Sequence, residues 1–70
     1  MKISEIRTLS EAEIQSRLID AREELMNLRF QLATGELSDY TRLRFTRRTI
    51  ARLLTVLNEL EQMAQMEGEA

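Results

Sequence analysis

Cysteine, histidine, proline and tryptophan are all missing from this chain of 70 residues. Without cysteine and histidine it can form neither a disulfide nor the usual zinc site. These are the two common ways in which small proteins are stabilised, and both are excluded here. The same absences remove the usual nucleophiles and proton shuttles, and no Gly-rich phosphate loop or carboxylate cluster with metal-ligand spacing is present. We therefore expect no enzymatic activity, no bound metal and no cofactor.

Glycine and aromatic residues are scarce, since the chain has two glycines, two phenylalanines and one tyrosine. Leu, Glu, Arg and Ala dominate instead, a composition typical of long helices. No apolar run approaches the roughly 20 residues of a membrane span, and the amino terminus lacks the apolar segment of a signal peptide. The sequence thus predicts a small, soluble, intracellular, all-α protein.

The first long helix has a clear start, a clear end and one apolar seam. Ser10 and Glu13 have the spacing of a capping box, and Leu9 and Ile14 that of a hydrophobic staple. Gly35 is the first glycine of the chain, and glycine takes the positive φ of a helix end without steric cost. The seam between these limits alternates steps of three and four and consists of Ile14, Leu18, Ala21, Leu25, Leu28 and Leu32.

A second helix follows, and its seam matches the first. Asp39 can cap the free amides at its start. The second seam consists of Leu43, Thr46, Ile50, Leu53, Leu57, Leu60 and Ala64. Paired antiparallel about the turn, the two seams stay in register over their length, as a hairpin requires. We expect an antiparallel two-helix, coiled-coil-like hairpin in one domain over 1–70, with a helical leader at 1–9, helices at 10–34 and 39–66, a turn at 35–38 and a frayed tail at 67–70.

Basic residues are concentrated in one block of the second helix. The net charge is -2, yet residues 42–52 hold five arginines and no acid. Four of these lie within an arc of about 140° on the side away from the seam, and we call them the arginine stripe: Arg44, Arg47, Arg48 and Arg52. Guanidinium groups fit phosphate oxygens, so the stripe predicts an RNA-binding surface, to which Arg29 and Arg42 add from the hairpin tip. The alternative is a solvated face, or ion pairs across the hairpin with Asp20, Glu23 and Glu24.

The first helix carries a second apolar surface, turned about 130° from its seam. It consists of Ile19, Met26, Phe30 and Ala33, and Leu54 of the second helix falls on the same side of the hairpin. One interpretation is a docking face for another protein, formed by Ile19, Met26, Phe30 and Leu54 and anchored by Phe30. The other is that the leader covers part of it through Ile3 or Ile6, or that single exposed apolar residues have no role.

Several segments together resemble one known family. They are the run Asn27–Leu37 (NLRFQLATGEL), Arg47–Arg52 (RRTIAR), Thr55–Leu57 (TVL), a leader with Glu5-Ile6-Arg7, and the helix start from Ser10 to Glu13. In residues and spacing the chain resembles the bacterial large-subunit ribosomal protein L29 family over nearly its whole length. The resemblance implies a structural protein that binds large-subunit ribosomal RNA (rRNA) beside ribosomal protein L23, near the polypeptide exit tunnel. The family's basic positions fall on Arg29, Arg42, Arg47, Arg48 and Arg52.

Two other functions are consistent with the residue pattern. The chain could be a homodimeric coiled-coil adaptor or small regulator that pairs through the same seams, with the arginines as surface charge. A small helical mutase that holds a dicarboxylate with arginines is a third alternative, although no convergent pocket residue supports it. The resemblance favours a monomeric ribosomal constituent without a small-molecule substrate or a membrane, in a bacterial or an organellar ribosome.

Overall fold

The computed structural model describes the backbone of residues 2–36 and 39–69 and the side chains of 2–36 and 39–66. Within these ranges the chain forms three helices and no strand: α1 (Ile3–Ile6), α2 (Glu11–Thr34) and α3 (Thr41–Glu69). The two long helices pack against each other as the predicted hairpin, and α1 packs on α3. The all-α prediction is therefore confirmed. Part of the predicted turn, at 37 and 38, and both terminal residues lie outside the described residues.

Both ends of α2 form as the sequence predicts. The Ser10 hydroxyl accepts a hydrogen bond from the Glu13 amide at 3.2 Å. At the other end Gly35 adopts the left-handed conformation, with φ 78° and ψ 10°. Its amide donates to the Leu32 carbonyl at 3.2 Å, and the Glu36 amide donates to the Gln31 carbonyl at 2.8 Å. These two bonds make a Schellman motif, which satisfies carbonyls that a helix end would otherwise leave free.

The start of α3 is capped by Asp39, also as predicted. Asp39 Oδ1 accepts a hydrogen bond from the Thr41 amide at 2.9 Å, and the first bond within the helix joins the Arg44 amide to the Tyr40 carbonyl. At its other end α3 continues to Glu69 and passes through Gly68. The helix thus extends three residues past the expected end at 66, because extending a formed helix needs no new nucleus and one glycine costs it only about 1 kcal/mol. The expected fraying of the tail stays a prediction.

The core lies in the half of the hairpin away from the turn. Its buried members come from all three helices: Ile6, Ile14, Leu18, Ala21, Leu53 and Val56. Leu9, Ile50, Leu57 and Leu60 pack against them from partly buried positions. Toward the turn the seam is looser, since Leu28 and Thr46 are buried but Leu32 is 38% exposed. Leu32 and Ala64, both predicted in the seam, are the two seam positions that the structure leaves exposed.

The leader is part of the core and is joined to α3 by an ion pair. Ile6 of α1 is fully buried, and Val56 of α3 is 2% exposed. On the surface, Arg7 donates from Nε to Glu59 Oε2 at 3.4 Å and from Nη2 to Oε1 at 3.1 Å. A one-turn helix cannot hold by itself, so these contacts are what keep α1 in place. Among the described residues, no helix is long and apolar enough to cross a membrane.

Candidate nucleic-acid interface

The arginine stripe lies on the outer surface of α3. The helix turns its seam, with Thr46 and Leu53, toward α2. Arg44, Arg47 and Arg48 are all exposed, and so is Arg52 one turn further on. Because α3 is continuous through this region, the four guanidinium groups extend over roughly 12 Å of helix length. The helix thus offers a row of cations to a partner on the side opposite α2.

Three members of the stripe have no carboxylate partner among the described residues. Within the described part of the chain, Arg44, Arg47 and Arg48 form no ion pair. Arg52 is exposed too, but it does interact with another group. The predicted pairing of the block with Asp20, Glu23 and Glu24 therefore does not occur for the middle of the stripe. A guanidinium without a carboxylate partner keeps all its donors for an outside anion.

Arg42 differs from the stripe because it is paired across the hairpin. Its Nε donates to Glu24 Oε1 at 2.7 Å, and both side chains remain partly exposed. The pair borders a shallow depression of about 490 Å³ at the hairpin tip, which Glu36 and Asp39 also line. Negative charge collects at this end of the molecule. Of the two tip residues predicted to bind RNA, Arg42 is thus neutralised locally, whereas Arg29 is exposed and unpaired among the described residues.

Asp39 stays ionised at the tip. The hydrogen bond from the Thr41 amide is the main cause that holds the pKa of the Asp39 carboxyl below its ordinary value of 3.8, and a further bond from the Thr41 side chain acts in the same direction. Asp39 itself is fully exposed, so burial hardly opposes these bonds. A permanent negative charge at this position repels phosphate and limits the anion-binding surface to the residues that follow on α3.

The predicted docking face is open to solvent. Ile19, Met26 and Phe30 are 58%, 71% and 67% exposed, and Leu54 is 41% exposed. The leader packs on α3, and its Ile6 is buried in the same core cluster as Val56, so Ile19, Met26 and Phe30 stay exposed beside it. The apolar surface of α2 is therefore left without a partner from the described residues.

One exposed aromatic residue next to the stripe was not selected from the sequence. Phe45 is 55% exposed and follows Arg44 directly on α3. The sequence does contain a signal for Phe45. It lies on neither predicted apolar surface, and it stands three residues before Arg48, a spacing that makes two residues neighbours on the surface of a helix. An aromatic ring among arginines is typical of surfaces that bind unpaired bases as well as phosphates.

The described residues form no metal-binding cluster, and their surface has only shallow depressions. No group of three or more acidic side chains there is placed to hold a metal ion. The depressions of the surface are shallow and lined by ordinary polar side chains, such as Glu13, Ser16, Arg17 and Asp20 on α2. What the geometry offers is a charged surface and an apolar one, each suited to a macromolecule.

Comparison with known proteins gives one consistent result. A family model described as "Ribosomal L29 protein" matches residues 4–59. A curated protein of Staphylococcus aureus (strain N315), named "Large ribosomal subunit protein uL29", is 54% identical over 61 residues, which cover 87% of this chain and 88% of that protein. The protein of the same name from Staphylococcus carnosus (strain TM300) matches with the same identity and coverage.

Proposed function

The chain belongs to the ribosomal protein L29 family, a family of structural constituents of the large ribosomal subunit and not of enzymes, and we propose that it is anchored there by binding rRNA through its arginine stripe. The observation that carries this proposal is the state of Arg44, Arg47 and Arg48. They are exposed, adjacent on one side of α3 and free of ion pairs with the described residues. Cations placed in this way bind the phosphate backbone and release its counterions.

The remaining basic residues contribute unequally to this surface. Arg52 extends the stripe by one turn, and Arg29 adds a cation from α2. Arg42 contributes least, because Glu24 already satisfies part of its guanidinium group and because Glu36 and Asp39 lie beside it. The binding surface is therefore centred on the middle of the stripe, and the acidic tip lies at its edge.

The docking face is assigned to a neighbouring ribosomal protein. Ile19, Met26, Phe30 and Leu54 are exposed, and they lie on the side of the hairpin that the leader leaves open. Exposed apolar residues that cluster in this way mark protein contacts more often than RNA contacts. From the family resemblance, the partner is ribosomal protein L23, and the position is near the polypeptide exit tunnel of a cytoplasmic bacterial ribosome.

The homodimeric adaptor is disfavoured by the way the seams are used. Ile14, Leu18 and Leu53 are already buried inside one chain, so the surfaces that would join two copies are occupied by the hairpin itself. The two functions make opposite predictions for purified protein. The ribosomal constituent is a monomer at tens of micromolar by sedimentation equilibrium, and it binds fragments of large-subunit rRNA with an affinity that falls steeply as salt rises.

A double charge reversal tests the assigned residues in the same assay. The variant Arg47→Glu/Arg48→Glu removes two phosphate contacts, so the slope of log affinity against log salt becomes shallower by about two. The reversal of two cations outside the stripe, Lys2→Glu/Arg22→Glu, changes the net charge equally and serves as the control. A dimer whose affinity for RNA is the same in all three proteins would support the adaptor instead.

A further inference from the structure

Phe45 is the aromatic residue nearest the arginine stripe. It is 55% exposed, and its helical neighbours on the outer side are Arg44, which precedes it, and Arg48, which is one turn further on. Its backbone carbonyl accepts a hydrogen bond from the Thr49 hydroxyl at 3.0 Å. The backbone of Phe45 therefore belongs to a regular, hydrogen-bonded part of α3. This places its ring beside the cations of the arginine stripe.

Phe45 also forms one wall of a small depression. The other walls are Asp39, Thr41 and Arg42, and the depression is shallow and open to solvent, with a volume of about 270 Å³. This lies just below the range of pockets that take drug-sized molecules, so it suits a single flat ring system. The wall is mixed in character, with one aromatic face, one hydroxyl, one carboxylate and one guanidinium group.

We infer that Phe45 stacks against an unpaired base of the RNA whose backbone the arginine stripe holds. The inference rests on the proposed function and adds to it the kind of RNA that is bound, namely a segment with at least one base outside a duplex. A base in an A-form helix is not available to a side chain, whereas bulged and loop bases stack readily on exposed aromatic rings.

The charges around the depression favour a base over a phosphate in that place. Asp39 is held in its ionised form by the Thr41 amide and repels phosphate, while Arg42 is already engaged by Glu24. Arg44, directly before Phe45, and Arg48, one turn after it, are free of such pairs among the described residues. The phosphate of a bound nucleotide thus lies on the stripe and its base on Phe45.

The test uses large ribosomal subunits assembled with the full chain in four forms: wild type, Phe45→Ala, Phe45→Trp and Met63→Ala. The rRNA is probed by acylation of its 2′-hydroxyl groups, which reports how freely each unpaired nucleotide moves. Loss of a stacking ring weakens the hold on a base by about fivefold or more. Phe45→Ala should therefore raise the reactivity of one or a few neighbouring unpaired nucleotides by about that factor.

The other two variants separate stacking from other effects. Phe45→Trp keeps a ring and should leave the pattern as in wild type. Met63→Ala removes a similarly exposed apolar side chain, 58% exposed, from a distant part of α3 and should not alter the same nucleotides. Unchanged reactivity in Phe45→Ala, or an equal change in Phe45→Trp, overturns the inference. Particles that still incorporate Arg47→Glu/Arg48→Glu normally would overturn the proposed RNA anchoring itself, so the two failures are distinct.

Discussion

Arg42 of α3 and Glu24 of α2 form the ion pair that joins the two long helices near the turn, with 2.7 Å between Arg42 Nε and Glu24 Oε1. The side chains are 64% and 39% exposed, so the pair adds at most about 1 kcal/mol to the stability of the hairpin. Its larger effect is on the binding surface. It removes one cation from the proposed RNA-binding set, whereas Arg44, Arg47 and Arg48 form no ion pair with any described residue.

Gly35→Ala should destabilise the hairpin by about 1 kcal/mol. Gly35 has φ 78°, and an added Cβ would meet no other atom within 4 Å, so the cost is that of the left-handed backbone alone. Urea unfolding followed by circular dichroism measures it. Gly35→Asn is the matched control and should lose less, since asparagine tolerates this conformation better. Equal stability of all three proteins would show that the Schellman motif does not hold this helix end.

Thr46→Val should stabilise the protein by about 1 kcal/mol. Thr46 is 2% exposed, and within the described residues its hydroxyl has no hydrogen-bond partner. Valine has the same shape and avoids burying that oxygen. Thr49→Val is the control, because the Thr49 hydroxyl donates to the Phe45 carbonyl and its loss brings no gain. A destabilised Thr46→Val protein in the same urea titration contradicts the account.

Ile6→Ala should cost about 2–4 kcal/mol, since Ile6 is fully buried and its removal leaves a cavity between α1 and α3. Ile19→Ala deletes the same atoms from a side chain that is 58% exposed and should cost about 0.5 kcal/mol or less. Thermal unfolding of both variants separates the core from the docking face. Similar losses in the two would mean that the leader is not an integral part of the core.

Much of the hairpin follows from the sequence because its signals are local. The Ser10 and Gly35 caps and the spacing of Ile14, Leu18 and Leu53 each require only a few neighbouring residues or one helical period. Val56 was not predicted to be buried, because its partner is the leader, and a two-helix pattern contains no information on where a third segment packs. The burial of Val56 therefore depends on a tertiary contact and not on a local sequence pattern.

The sequence was enough to predict which arginines form the candidate site, but not which of them form ion pairs. The arginine block can be read directly from the sequence. Which arginine finds a carboxylate depends on how α2 packs against α3 and not on the residues next to it in sequence. In the structure Arg42 pairs with Glu24, and Arg47 and Arg48 are free of ion pairs among the described residues. Phe45 was passed over because helical periodicity favours residues on a seam, and it lies on none.

The cap of α3 should lose its effect in acid. The pKa of Asp39 is lowered by its bond from the Thr41 amide, so the carboxylate stabilises the folded state above the ordinary pKa, and the stabilisation disappears as pH falls through the lowered value. The stability difference between wild type and Asp39→Ala should be constant near neutral pH and shrink below about pH 4. A difference independent of pH would show that the charge of Asp39 plays no part in the cap.

The most direct test of RNA anchoring is incorporation of Arg47→Glu/Arg48→Glu into the large subunit. The variant and the control Lys2→Glu/Arg22→Glu are expressed as the sole copy, their helicity is checked by circular dichroism, and each is followed through a sucrose gradient with a high-salt wash. The account predicts that the first is lost from large-subunit particles while the control remains. Retention of both variants, or equal loss of both, would contradict it.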